Sequence, residues 1–142
     1  MHLVNRILSF YQSYPDLDDF IPLNTPRMYV KKEDNYTIIM FSNGKGRIMG
    51  KNATLENIQK QFPDVDHCHL QSETYVHDLG KQVDLEKITT GIYEPELFAA
   101  RTIHYNDGIL INMFHTGKVM LMGKNVGKRK EEIEEYLKNI TL

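Results

Sequence analysis

The sequence has little cysteine, no long apolar run and no excess of charge of one sign. Its single cysteine, Cys68, excludes an internal disulfide framework. No apolar run is long enough to cross a bilayer, and Asn5 and Arg6 interrupt the apolar stretch at the start, so neither a membrane span nor a signal peptide is expected. The 17 Lys and Arg against 19 Asp and Glu give a net charge of −2, which argues against a binder that relies on a bulk basic field. We therefore expect a soluble intracellular protein without a membrane partner.

The chain contains an internal repeat. Residues 20–52 align without a gap on residues 93–125, and 11 of these 33 positions are identical, including the Met-Gly-Lys-Asn that closes both segments. A repeat of this length in a chain of 142 residues indicates one supersecondary unit used twice. The prediction is a single domain over residues 1–142, made of an N-terminal repeat, 1–66, and a C-terminal repeat, 67–142.

Each repeat contains a predicted β-hairpin. Apolar runs at 36–41 and 109–114 are each followed by a turn with Gly and by a second short apolar run. Alternation along these strands places apolar side chains on both faces, which is unusual for an antiparallel pair. One predicted face carries Tyr36, Ile38, Met40, Ile48, Ile109, Ile111, Met113, Val119 and Leu121. The other predicted face carries Ile39, Phe41, Met49, Leu110, Phe114, Met120 and Met122.

Helical patterns are few and short. Apolar residues at spacings of three and four predict a helix over residues 127–140, and a second helix is predicted over 53–62. Two weaker helices are predicted at 16–20 and 84–89. Helices of this number and length can cover one face of a sheet but not both. The other face is then a large exposed apolar surface, of the kind that marks a binding partner.

Two motifs resemble the TATA-box-binding protein family. Tyr-Glu-Pro-Glu-Leu-Phe at 93–98, followed by the strand pattern that contains Phe-His-Thr-Gly-Lys at 114–118, is similar to the stirrup and hairpin of the family's second repeat. Phe-Ser-Asn-Gly-Lys at 41–45 is similar to the hairpin of its first repeat. The resemblance covers nearly the whole chain. Shorter helices and loops make this a trimmed and divergent member, for which we consider a viral origin.

The resemblance implies both a fold and a function. The implied fold is α+β: a pseudo-two-fold saddle with a ten-stranded antiparallel sheet and helices on its convex face. The implied function is that of a transcription initiation factor, not an enzyme and without a cofactor, which binds A·T-rich promoter DNA in the minor groove and bends it with Phe wedges; the family is itself the well-known example of this binding mode. The implied partners are double-stranded DNA, a factor-IIB-like transcription factor and the RNA polymerase machinery. The chain is expected to act as a monomer or in a heteromer, in the nucleus of a host or eukaryotic cell or in a viral transcription compartment.

The same resemblance assigns site residues by position. The wedges are carried over at Phe41, Phe98 and Phe114. Thr25 stands at the fourth wedge position, with Leu23 or Met28 as the nearest apolar substitutes, which predicts a shallower or lopsided kink. The other implied DNA contacts are Ile39, Met49, Met120, Met122, Asn112, Arg47, Asn5, Ser72, Lys45, Lys51, Lys118 and Lys124. The implied contacts to the transcription partner are Glu94, Glu96 and Leu97.

Alternatives remain open from the sequence. The near-neutral charge favours a module that keeps the fold as a protein-docking platform with weak or lost DNA binding, whereas the retained Phe residues favour DNA binding. Phe41 and Phe114 could instead be core aromatics, and residues 94–97 a solvated loop. No metal site is predicted from the Asp, His and Cys residues of 64–69, because successive residues of a strand point to opposite faces.

Overall fold

The computed structural model describes residues 1–25 and 27–142. Its strands are β1 His2–Tyr11, β2 Ile21–Pro22, β3 Met28–Lys32, β4 Thr37–Phe41, β5 Lys45–Gly50, β6 His69–Asp78, β7 Arg101–Tyr105, β8 Ile109–Met113 and β9 Lys118–Gly123. Its α-helices are α1 Leu55–Gln61 and α2 Lys130–Ile140, with short 3-10 turns at Asn106–Gly108 and Gly127–Arg129. Among the described residues, neither helix has the length and apolar character that a bilayer crossing requires.

The chain divides into two compact units. The first unit is Asn5–Ser72, and the second unit combines Met1–Val4 with Glu73–Leu142. The strand order is β2-β3-β4-β5-β1 in the first unit and β6-β9-β8-β7 in the second, and all the pairings resolved within the units are antiparallel. Each unit therefore runs along the chain as a long strand, a series of consecutive antiparallel strands (β2–β5 or β7–β9) and a closing helix. The repeat boundary between residues 66 and 67 stays a prediction.

The core of the first unit lies between one sheet face and α1. The helix begins at the N-cap Thr54, whose side-chain oxygen accepts from the backbone N–H of Asn57 at 3.1 Å. It buries Ile58 completely, and its C-cap is Phe62, whose ring stacks on Phe20 at 6.0 Å between centroids. The core consists of Leu8, Phe10, Phe20, Ile38, Met40, Ile48, Ala53, Ile58, Phe62 and Val65.

The core of the second unit is built in the same way around α2. Ile133 and Leu137, four residues apart on one helix face, are fully buried. They pack with Tyr75, Leu85, Ile88, Ile103, Ile109, Ile111, Met113, Val119, Leu121 and Val126. The predicted strand faces are confirmed in both units, because the side chains assigned to the first face lie in or against the cores and those assigned to the other face do not.

Two predicted helices and one predicted strand are absent from the described residues. Residues 16–20 and 84–89 form turns, because the carboxylates of Asp16 and Asp84 accept from the backbone N–H two residues further on, an alternative to helical hydrogen bonds. The structure describes nine strands where ten are expected. The counterpart of β2 is reduced to an isolated bridge between Ile92 and Thr102, since the chain enters a tight turn at Glu94.

Candidate nucleic-acid interface

The first unit leaves one sheet face outside its core, which we call the first open face. Its members follow from the strand register, because residues paired across antiparallel strands point to the same side. Arg47 pairs with Ser9 on one side and with Ile39 on the other, and these side chains point away from α1. The face carries Ile7, Ser9 and Tyr11 from β1, Lys45, Arg47 and Met49 from β5, Thr37, Ile39 and Phe41 from β4, and Met28 and Val30 from β3.

The second unit has an equivalent second open face. Met122 pairs with Thr74 and Leu110, and Met120 pairs with Val76 and Asn112. These side chains are half-buried, and the sheet face opposite them packs on α2. The face carries Thr74, Val76 and Asp78 from β6, Lys118, Met120 and Met122 from β9, Leu110 and Asn112 from β8, and Thr102 and His104 from β7.

Two phenylalanines meet at one end of the second open face. The rings of Phe98 and Phe114 lie edge to face, with centroids 6.2 Å apart and planes at 74°. The Phe98 N–H donates to the Glu94 carbonyl at 3.0 Å, which closes the turn that carries the ring. Phe114 begins the tight hairpin turn, where its N–H donates to the Lys118 carbonyl at 2.9 Å. Phe98 is 47% exposed, and neither ring belongs to the core.

The first unit has one aromatic ring at the matching hairpin position. Phe41 is half-buried and begins a turn in which the Gly44 N–H donates to its carbonyl at 3.0 Å. Met28, not Thr25, stands directly opposite Phe41 across β3 and β4. A thioether chain thus lies beside Phe41, in place of the second ring that accompanies Phe114.

A groove opens beside Phe41 on the first open face. Its volume is about 320 Å³. One wall comes from the segment before and at the start of β6, where the rings of His67 and His69 meet edge to face at 5.5 Å. Asp66 lies 2.6 Å from His67 Nδ1, and this hydrogen bond lowers the pKa of the Asp66 carboxyl. The groove is lined by Ser9, Phe10, Tyr11, Phe41, Lys45, Gly46, Arg47, His67 and His69.

Three amide or hydroxyl side chains predicted to contact DNA occupy defined positions. Arg6 on β1 pairs with Gly50, and Glu73 on β6 pairs with Gly123. Gly50 and Gly123 are equivalent positions of the repeat. Asn5 and Ser72, each one residue earlier, therefore hold equivalent places on β1 and β6. Both side chains are half-buried. Asn112 accepts at its Oδ1 from the Thr102 hydroxyl at 2.9 Å. With its Oδ1 accepting this bond, the amide has its NH₂ group as the donor end.

The charged residues predicted to bind phosphate or a protein partner are exposed. Lys45 and Lys118 begin β5 and β9, and Lys51 and Lys124 follow the ends of the same strands. The turn at residues 94–98 presents Glu94 and Glu96 to solvent, with Leu97 80% exposed between Glu96 and Phe98. The described residues contain no group of three or more His, Cys, Asp and Glu side chains that could hold a metal ion.

Comparison with known proteins identifies the fold. No family model matches the sequence, and no curated protein matches it. Among solved structures, the TBP of Methanococcus jannaschii matches with a TM-score of 0.75, over 97% of this chain and 96% of that chain, at 21% identity. The chain has the TATA-box-binding protein (TBP) fold. The α+β fold expected from the motifs at residues 41–45, 93–98 and 114–118 is therefore confirmed.

Sequence reasoning missed part of the surface that the TBP fold builds. Ser9 and Tyr11 were not assigned to the interface, although they alternate with Asn5 along β1 and so share its side of the strand. His67 and His69 were considered only as metal ligands. Nothing in their spacing predicts that they line a groove with residues of β1 and β5, because that proximity arises from strand pairing. The Gln71 side chain, which donates to the Ser9 hydroxyl at 2.8 Å, shows the same proximity.

Proposed function

We propose that this protein is a TBP-like transcription initiation factor whose open faces bind A·T-rich promoter DNA in the minor groove and bend it. The observation that supports this most directly is the Phe98–Phe114 pair, two rings outside the core at the end of an apolar sheet face. Exposed aromatic rings held by tight turns are suited to insertion between base pairs. Each insertion costs about a few kcal/mol of unstacking, which is offset when the bent duplex contacts more protein surface.

The chemistry of the second open face suits the minor groove. Met120, Met122 and Leu110 offer flexible apolar contact to sugars and base edges, while Asn112 offers donors to the N3 and O2 acceptors of A·T pairs. A guanine would place its exocyclic amino group against this apolar surface. The result is a preference for A·T pairs that needs few hydrogen bonds.

The distribution of charge matters more here than the net value of −2. Lysines stand at both ends of each central hairpin, at Lys45 and Lys51 in the first unit and at Lys118 and Lys124 in the second. Phosphate contacts of this kind position a protein on the duplex without reading its sequence. A nearly neutral chain can thus hold DNA by local cations.

The turn at residues 94–98 supports a second contact. Glu94 and Glu96 flank an exposed hydrophobic side chain, Leu97, which gives a small acidic and apolar projection beside the Phe98 wedge. We propose that a factor-IIB-like transcription factor binds this turn and connects the protein to the RNA polymerase machinery. The proposed location is the nucleus of a eukaryotic or host cell, or a viral transcription compartment.

A second candidate function is a protein-docking module with weak or lost DNA binding. It is favoured by Thr25 in the fourth wedge position, since the first unit then has a single ring, Phe41, with Met28 beside it. In this case the apolar open faces would bind a protein.

Binding to short A·T-rich duplexes over a salt series tests the proposal. A plot of the logarithm of the association constant against the logarithm of salt concentration should have a slope of about −0.9 for each neutralised phosphate. Arg47 and the four lysines can neutralise five phosphates, so the slope should be no steeper than about −4.5. A G·C-rich duplex of equal length is the control and should bind more weakly. Absence of binding at about 50 mM salt, or a slope near zero, would leave only the docking module.

A further inference from the structure

The turn that carries Phe98 has few contacts of its own with the core. Residues 89–99 are all exposed except Tyr93, which is half-buried. The bridge between Ile92 and Thr102, with a 2.9 Å hydrogen bond in each direction, is the backbone pairing that joins this segment to β7. Little backbone pairing therefore holds the turn in place.

A buried arginine stands where the turn meets β7. Arg101, the first residue of that strand, is only 7% exposed. Its Nε donates to the Leu85 carbonyl at 2.8 Å, and its Nη1 donates to the Thr90 carbonyl at 3.1 Å. Its guanidinium carbon also lies 5.5 Å from the centre of the Tyr93 ring. The side chain thus joins three points of the segment that leads into the turn.

These contacts connect both ends of the turn to the core of the second unit. Leu85 is a core residue, 3% exposed. Tyr93 immediately precedes Glu94, whose carbonyl closes the turn, and Arg101 follows shortly after Phe98. A hydrogen bond from a charged donor is about twice as strong as a neutral one, and the planar guanidinium holds its acceptors in a fixed geometry. One side chain therefore fixes the turn relative to a buried residue.

The first unit has no charge at the corresponding position. Arg101 pairs with Met113 across β7 and β8, and Tyr29 pairs with Met40 across β3 and β4. Met40 and Met113 are equivalent positions of the repeat, so Tyr29 is the counterpart of Arg101. In the first unit, β2 pairs with β3 at two successive positions. The arginine is thus found in the unit where the counterpart of β2 is reduced to a bridge.

We propose that Arg101 is a positioning residue, which holds the turn of residues 94–98 so that the Phe98 wedge is in place before DNA binds. This role rests on the proposed function. Because Arg101 stands opposite the buried Met113, its side chain points to the core and acts through the turn, without a DNA contact. A turn that is already ordered avoids the entropy cost of immobilisation on binding, so DNA is bound more tightly.

The first measurement uses the free protein. Hydrogen exchange followed by NMR reports the opening of the Leu97 and Phe98 amides, both of which donate to the Glu94 carbonyl. Arg101→Met keeps an apolar stem and removes the donors. It should speed exchange of these two amides by about tenfold or more, as expected when a hydrogen bond from a charged group is lost. Arg101→Lys, which keeps the charge and can still donate, should give a smaller increase.

The matched control is a variant of Ile133, a fully buried residue of α2. Of Ile133→Val and Ile133→Ala, the variant closer to Arg101→Met in thermal stability is used, so that a general loss of stability is matched. It should not speed exchange at Leu97 and Phe98 more than in the rest of the second unit. On a short A·T-rich duplex, Arg101→Met should bind about tenfold more weakly than this control, and Arg101→Lys should recover part of the affinity.

The outcomes separate this role from the proposed function. If Arg101→Met exchanges at Leu97 and Phe98 like the control, Arg101 does not position the turn, and the proposed function stands on wild-type DNA binding. If exchange is faster but the variant binds and bends the duplex like the control, the wedge does not need a fixed turn and the inference is wrong. If the wild-type protein binds no duplex, the proposed function fails, and the role of Arg101 in placing a wedge fails with it.

Discussion

Truncation of Phe98 to alanine should reduce DNA bending while leaving the protein folded. The ring is 47% exposed and lies on a turn that is closed by backbone hydrogen bonds to Glu94, which the substitution preserves. The ring packs edge to face on Phe114, with centroids 6.2 Å apart. The change therefore acts on the wedge more than on the fold.

The expected loss of stability follows from this exposure. Complete burial of a phenylalanine contributes about 1.5–3 kcal/mol, so about half of that applies to a half-exposed ring, and the aromatic pair adds about 0.5–1.5 kcal/mol. Phe98→Ala should thus lower the free energy of unfolding by about 1–3 kcal/mol. The same substitution at the buried Phe20 should lower the free energy of unfolding by about 3–5 kcal/mol.

The assay measures energy transfer between dyes at the two ends of a short A·T-rich duplex. Wild-type protein should shorten the distance between the ends, and saturating Phe98→Ala should shorten it clearly less, because one base step is no longer opened. Leu97→Ala is the control for the loop: Leu97 is the neighbouring residue, 80% exposed, and its loss should leave the bend unchanged.

Two results would contradict a wedge role for Phe98. A normal bend with saturating Phe98→Ala would show that the ring is not a wedge. A loss of stability like that of Phe20→Ala, detected by urea unfolding, would show that Phe98 has a core role. Phe114→Ala should follow the Phe98 pattern, since the two rings act as a pair.

Three further predictions concern the first unit. Thr25→Phe should restore the fourth wedge and increase the bend in the same energy-transfer assay; an unchanged bend would argue that Met28 already fills this role. Gly46→Val should lower the free energy of unfolding by about 1–3 kcal/mol, because a Cβ there would lie 2.6 Å from the Phe10 ring, and a variant as stable as the wild type would contradict this packing. The hydrogen bond from Lys31 lowers the pKa of Asp19 below its ordinary value of 3.8. The pair therefore stabilises the fold at pH values above 3.8, and this stabilisation is lost as the pH falls below that value. Asp19→Asn should therefore lower the free energy of unfolding by less than about 1 kcal/mol near neutral pH, because the carboxylate is 52% exposed, and should have no effect near pH 2. A difference in stability between the variant and the wild type that persists in acid would exclude the ion pair as its cause.

Local patterns were sufficient for much of the fold. The alternation at residues 36–41 and 109–114 predicted which strand faces are buried, because side-chain direction in a strand has a period of two. The two α-helices were predicted from apolar spacing and capping, and both formed within a few residues of the expected bounds. The prediction failed at residues 16–20 and 84–89, where a single Asp side chain captures a backbone N–H and a turn forms instead of a helix.

The repeat could be recognised by aligning residues 20–52 with residues 93–125. The hairpins, the helices and the apolar character of both strand faces could be predicted because they depend on residues close together in the chain. The contacts between distant side chains required the folded structure: Met28 opposite Phe41, Phe98 against Phe114, and His67 lining one groove with Arg47. These contacts join residues from different strands and turns. They are set by strand register and by the closure of distant loops, which no local period in the sequence encodes.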